Sequence, residues 1–315
     1  RVLESLIRAG ALDRLGENRA TLMILLPLAL KMAEQQAAMQ AAGQDDLFGM
    51  SAPEPAAPSP GMVPDPIEEW DDEQRLAGEK ETLGLFLTGH PIDFYESDLK
   101  ALIGSRIARL SLDNVREIRG RRGGGRKVTV AGMVVAVNRR NTQRGPMASV
   151  LLDDKTGRIE VTLFSEAYEQ FRDQIATDRV VVVEGTLAHD EYRGGLTIRA
   201  DRLSGMEDVR VARAAVVELE LREDWLREHG MVSIDLAGEL RALLEPVLGG
   251  TGEVRLRYRR LDAEVVLRLG VDWRIRPTDT FIRQVQRLLG GAAVNIRFRP
   301  PPQEASGRSV DYAQS

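Results

Sequence analysis

At Lys127 the hydrophobic period of this chain changes from helical to alternating, and that change limits the folds open to it. Residues 128–137 form a β-rich run interrupted by Gly132, a point where a strand can bend. Further β-rich runs follow at 148–152, 158–164, 179–187 and 196–203. Asp153-Asp154-Lys155-Thr156-Gly157 supplies a tight turn between the second and third runs. Residues 165–175 read as a helix with Ser165 as its N-cap. The spacing therefore predicts a small barrel of five short strands with one helix between the third and the fourth.

That order matches the OB-fold, a barrel whose second and third strands and first inter-strand loop meet single-stranded nucleic acid. The loop expected here is Asn138-Arg139-Arg140-Asn141-Thr142-Gln143-Arg144-Gly145, basic and flexible, suited to tracking phosphates. Arg158 opens the third strand, and Arg193 falls between the fourth and fifth. Arg139, Arg140, Arg144, Arg158 and Arg193 are thus the candidate contacts to single-stranded DNA. Aromatic stacking partners are sparse, with Phe164 and Tyr192 the nearby ones. Weak, sequence-independent, salt-sensitive binding follows, and a solvated basic face on a structural barrel is the competing reading.

Beyond the barrel, residues 214–298 read strand, helix, strand, strand, helix, strand. The helices are expected at 236–248 and 278–289, the second stopped by Gly290-Gly291. This is a split βαβ sandwich with helices on one face. Its second and third strands carry Arg255, Arg257, Arg259 and Arg268 with Tyr258 among them. Ahead of the barrel, residues 1–50 are helical, broken at Gly10 and Gly16, with Asn18 as a cap. Residues 51–69 are rich in Pro and Ala and read as a flexible linker. Residues 70–126 form a helical connection, where Pro91 after Gly89-His90 ends a helix. The expected fold class is multidomain α+β: a helical N-terminal region, a five-stranded OB barrel at 127–205, a βαββαβ α/β sandwich at 212–299 and a disordered tail at 300–315.

The 315 residues contain no cysteine, which excludes disulfides, thiol catalysis and thiolate zinc sites. No apolar run approaches the roughly 20 residues that span a bilayer, and no signal peptide opens the chain. It starts inside a helix at Arg1 and reads as a piece of something longer. His90, His189 and His229 lie in different regions with no metal-spaced partner, and no convergent catalytic set can be assembled. Gly123-Gly124-Gly125 lacks the Gly-Lys-Ser/Thr of a phosphate loop. The chain should carry no catalytic residue, metal or cofactor of its own.

Between the first helices and the linker stands Gln44-Asp45-Asp46-Leu47-Phe48, a polar head followed by two large apolar side chains. Taken alone it reads as the closure of the preceding helix, since five-residue patterns recur by chance. Its place beside a linker also suits a short anchor that enters a pocket on another protein.

The run Glu79-Lys80-Glu81-Thr82-Leu83-Gly84-Leu85-Phe86-Leu87-Thr88-Gly89-His90-Pro91 resembles a signature of the bacterial replicative DNA polymerase III alpha subunits, in their C-terminal portion. Leu6-Ile7-Arg8-Ala9-Gly10-Ala11-Leu12-Asp13 resembles the segment after that family's helix-hairpin-helix, and the likeness covers nearly the whole chain. It implies that Gln44, Asp46, Leu47 and Phe48 form the peptide that docks on the ring-shaped sliding clamp, reversing the reading of the pentapeptide alone. It also implies that the last domain binds the tau subunit of the clamp loader, with no individual contact residue assigned. The parent would be a DNA-directed DNA polymerase, a cytoplasmic nucleotidyltransferase using Mg2+ at replication forks, with its catalytic carboxylates in a palm preceding Arg1. This chain would be its attachment and processivity module. The error-prone relative fits less well, because as that branch is understood it lacks the clamp peptide and the last domain. A free-standing single-strand-binding or scaffold protein with an OB barrel is the alternative from another class.

Overall fold

The computed structural model describes residues 1–41, 67–111, 125–143, 145–189, 194–231 and 235–300. The chain divides into two compact units, Arg1–Asp93 and Phe94–Ser315.

The first unit holds α1 (Val2–Arg8), α2 (Arg19–Ala41) and α3 (Asp72–Leu83). Asn18 caps α2 as its sequence predicts, accepting from the Thr21 N–H at 2.8 Å. Glu69, read as the end of a linker, is held in place. Its carboxylate accepts from the N–H groups of Arg19 and Ala20 at 2.9 and 3.1 Å, completing the same helix start. Helix α3 stops at Gly84, whose φ of 75° is left-handed. The chain then turns back, and fully buried Glu79 holds the return. It accepts from the N–H groups of Leu87 and Thr88 at 2.7 and 3.0 Å, and from the Thr88 hydroxyl at 2.9 Å. Arg19, itself buried, supplies the balancing charge at 3.0 Å. The most distinctive run of the sequence is therefore a loop lock.

In the second unit, α4 (Glu96–Leu102) precedes the barrel. The barrel comprises β1 (Arg126–Thr142), β2 (Gly145–Asp153), β3 (Arg158–Leu163), α5 (Ser165–Phe171), β4 (Val180–His189) and β5 (Leu196–Gly205), closed in the order β1-β2-β3-β5-β4. Its interior is apolar, with Val130, Val150, Leu152, Val161, Val183 and Ile198 fully buried. Strand β1 serves both sides of the barrel: 126–133 pair with β4, and from Met133 onward it pairs with β2. The irregularity in its pairing with β2 falls between Val134 and Ala136, not at Gly132, where a Cβ would lie 3.1 Å from the Asp153 carbonyl oxygen, a tight contact. Gly185, at the irregularity of β4 with β5, is stricter, since a Cβ there would meet the Arg199 carbonyl at 2.3 Å. The helix expected to be capped by Ser165 instead begins with it. Phe164 occupies the capping position without a side-chain bond, so the predicted cap is one residue late.

After the barrel come α6 (Met206–Arg213), β6 (Ala214–Arg222), α7 (Glu223–Glu228), α8 (Leu236–Leu244), β7 (Leu248–Arg259), β8 (Glu264–Arg268), α9 (Asp279–Leu289) and β9 (Val294–Phe298). The sheet order is β8-β7-β6-β9. The predicted succession of strands and helices is present, but the unit is not split. Strands β6 and β7 are parallel and directly adjacent, from Val216↔Glu253 to Arg222↔Arg259, with no strand between them. Val217, Leu219 and Leu221 of β6 pack in one core with Leu240 and Leu244 of α8 and Phe281 and Val285 of α9. Their alternation puts the other face of the sheet away from the helices.

Arg210 of α6 fastens this unit internally. It is 1% exposed, donates through Nε to Asp98 of α4 at 2.6 Å, and bonds through Nη1 to Asp279 at the start of α9. Tyr95 donates its hydroxyl to the same Asp279, and the Asp279 N–H reaches the Glu207 carboxylate at 2.8 Å. Burial works against the charge on Arg210, yet Asp98 and Asp279 outweigh it and hold its pKa above the ordinary arginine value.

Candidate nucleic-acid interface

The expected basic loop between the first two strands is a β-hairpin arm. Pairing of β1 with β2 continues through Asn138↔Ser149, Arg139↔Ala148 and Arg140↔Met147 to Thr142↔Gly145. The polar residues 138–142 thus extend the ladder beyond the buried part of the barrel. A paired β-ribbon stands where the sequence suggested a flexible loop.

Alternation along the arm sends Arg139 and Arg140 to opposite faces. Arg139 stands opposite fully buried Ala148 and turns to the mouth of the barrel, donating to the Ile175 carbonyl at 3.0 Å. Arg140 stands opposite Met147 on the outer face and is exposed. Arg158 is on that outer face too, but its guanidinium pairs with Asp153 at 2.8 Å. Two residues on, Glu160 adds a carboxylate beside Ser149, to which it is hydrogen-bonded. The outer face of β2 and β3 is therefore charge-balanced, not basic. Arg144, Arg193 and Tyr192 lie outside the described residues.

Phe164, just beyond β3, is 51% exposed and offers a ring for stacking. Asp154, buried under the β2–β3 turn, has structural work: it accepts from the N–H groups of Ile107, Thr156 and Gly157. Of the histidines, His90 accepts from the Ile92 N–H at 3.2 Å and His229 stacks on Trp225 at 4.1 Å. Among the described residues no group of His, Asp and Glu converges as metal ligands would. None of the described helices is long and apolar enough to cross a membrane.

The second face singled out by the sequence, the arginines of the last sheet, is neutralised by glutamates. Arg257 grips Glu218 at 2.9 and 3.0 Å and also reaches Glu264. Arg259 pairs with Glu220 at 2.9 Å. Arg255 and Arg268 share Glu253, at 2.7 and 3.1 Å, and these two guanidiniums bring its carboxyl down to about 2. Tyr258 is not among them, because it packs against the helix-side core. The glutamates were visible in the sequence, but only the strand register puts them beside the arginines.

The pentapeptide Gln44, Asp46, Leu47 and Phe48 lies outside the described residues.

Two family profiles match the chain. Residues 128–204 match the OB-fold nucleic acid binding domain, and residues 239–290 match the C-terminal domain of DNA polymerase III subunit alpha. Among curated proteins, DNA polymerase III subunit alpha of Escherichia coli K12 is 37% identical over 299 residues, covering 95% of this chain and 24% of that protein. The Vibrio cholerae subunit is 35% identical with the same coverage of both chains. The Pseudomonas aeruginosa subunit is 36% identical, covering 95% of this chain and 25% of its own length. The chain spans about a quarter of the length of these relatives. On this correspondence the chain is a homologue of the C-terminal portion of the DNA polymerase III alpha subunit.

Proposed function

We propose that this chain is the attachment and processivity module of a replicative DNA-directed DNA polymerase. The observation that carries the reading is a closed OB barrel, with a protruding hairpin arm, inside a sequence homologous to the alpha subunit over 95% of its length. In this reading the barrel holds single-stranded template DNA, Gln44 to Phe48 docks on the sliding clamp, and the last domain docks on the tau subunit. Nucleotide transfer, with its Mg2+, belongs to the rest of the parent protein, and the setting is the cytoplasm. No step of the chemistry is assigned to this chain.

Clamp docking rests on Leu47 and Phe48 entering an apolar pocket while Gln44 bonds at its rim. Burying the two side chains contributes roughly 3–6 kcal/mol before the cost of ordering the peptide. The double change Leu47→Ala/Phe48→Ala is expected to weaken clamp binding about a hundredfold, or about 2.7 kcal/mol. Gel filtration with purified clamp and, separately, with tau is the test. The double variant should lose clamp co-elution and keep tau. Clamp binding unchanged in the variant would end the peptide assignment, and a wild-type chain that never co-elutes with tau would end the docking assignment.

For the barrel, the arm sets the expectation. Each phosphate contact gives a log–log salt slope of roughly -0.7 on single strands. Changing Arg139, Arg140 and Arg144 together to Ala should flatten the slope by about two units. Arg158→Ala should change it by less than about half a unit, because Asp153 already neutralises that cation. Fluorescence anisotropy with oligo-dT at several salt concentrations reads both. A slope untouched by the triple change would return the arm to a structural role.

A further inference from the structure

Strand β8 ends the last sheet, and among the described residues no strand pairs with its outer edge. All its residues are exposed, including Val265 at 48%, Val266 at 41% and Leu267 at 54%. The direction of its backbone groups follows from its neighbours. Leu269 donates to the Val254 carbonyl and Arg260 to the Ala263 carbonyl, in register with Arg255↔Arg268. In an antiparallel ladder hydrogen-bonded pairs alternate. Val265 and Leu267 therefore turn their N–H and C=O groups toward β7, while Glu264, Val266 and Arg268 turn theirs outward. An apolar edge with unpaired backbone groups is a template for another strand.

We propose that the strand seated there is β8 of a second copy of this chain, antiparallel about a two-fold axis through Val266. The argument is the self-complementarity of Glu264-Val265-Val266-Leu267-Arg268. About that axis Val265 meets Leu267 of the second copy and Val266 meets Val266, while Glu264 faces Arg268 with no like charges opposed, each already paired within its own chain, with Arg257 and Glu253. Apolar pairs across strands are a favourable combination. Parity agrees as well: 264, 266 and 268 are the positions whose backbone groups point outward, and these become the hydrogen-bonded pairs. A parallel alignment in register would oppose Glu264 to Glu264, and a one-residue slip would set Glu264 against Leu267. The contact is isologous and closes after two copies, continuing one sheet across the dimer.

The absence of cysteine gives a clean test. Val266→Cys places one thiol per chain on the proposed axis, where hydrogen-bonded antiparallel residues have Cα atoms about 5.5 Å apart. That separation lies within the range of about 4.4–6.8 Å that a disulfide spans. Under mild oxidation the Val266→Cys chain is expected to cross-link to a covalent dimer at least about tenfold faster than Val271→Cys. Position 271 is 72% exposed, more open than 266, but off the strand. In sedimentation velocity up to about 100 μM, wild type should show a dimer that Val266→Lys abolishes, with its circular dichroism unchanged. A wild type monomeric throughout, a dimer that survives Val266→Lys, or equal cross-linking at 266 and 271 would each overturn the proposal. A monomer is also the result expected if the edge receives a strand from a different protein.

Discussion

Replacing Arg210 with methionine is expected to destabilise the second unit by about 3–5 kcal/mol. A buried ion pair and the loss of one of its members are different cases. With Arg210 gone, Asp98, which is 4% exposed, stays buried without its cation, close to the carboxylate of Asp279. Two like charges in a dry site cost far more than the original pair contributed. Asp98→Asn added to Arg210→Met should recover part of the loss, because neighbours in one network are not additive. Urea unfolding followed by the fluorescence of Trp225 and Trp273, both packed at the core of the last domain, measures it. A loss below about 1 kcal/mol, within the range of an ordinary surface change, would show that Arg210 is not a fastening.

Glu79→Ala is expected to destabilise the first unit. Arg19, at 3% exposure, keeps Asp13 at 2.8 Å as its counter-charge but loses Glu79, and the N–H groups of Leu87 and Thr88 are left unanswered. A loss of about 1–3 kcal/mol follows from those unsatisfied groups. Glu79→Gln adds a pH dependence. Burial pushes the Glu79 carboxyl up, but the bonds from Leu87, Thr88 and Arg19 outweigh it and hold its pKa below the usual value. A carboxyl depressed in the fold stabilises fully above its unfolded value, about 4.3, and the contribution drains away as pH falls through the folded value. The gap between wild type and Glu79→Gln should therefore be widest near neutral pH and narrow below about pH 4. Amide exchange at Leu87 and Thr88 reports it locally, and a gap that widens in acid would refute the assignment.

The strands of the barrel and of the last sheet were legible because alternation of apolar residues is itself the signal of a half-buried strand. Helix α9 was legible from Thr278 and Gly290 at its ends, and the Thr278 hydroxyl does accept from the Phe281 N–H. The arm was misread because Asn138 to Thr142 have no apolar alternation. Backbone pairing holds them, and backbone pairing leaves no mark in side-chain type. Helix α6 went unassigned because eight residues between two strands look like a connection, and the reason for its burial, Arg210, lies 112 residues from Asp98. The polarity of the last sheet was legible but not its neutrality, which depends on register. Two of the predicted DNA contacts, Arg144 and Arg193, fall outside the described residues, and the described three do not form one cluster.

The parallel seam of the barrel also dictates an order of assembly. Strands β3 and β5 meet only at Glu160↔Thr197, Val161↔Ile198 and Thr162↔Arg199. A chain growing from its N-terminus can form β1, β2 and β3 as successive hairpins, since their pairings are local. The first half of β1 then waits for β4, and the seam waits for β5. Nascent chains that end between residues 163 and 196 thus expose unpaired apolar edges, the state most open to misassociation. Arg210 emerges soon after closure and finds Asp98 already made, but Asp279 follows 69 residues later. In chain order every barrel strand is complete before Asp279, so chains cut short before it would carry all five strands and only the Asp98 half of the Arg210 fastening.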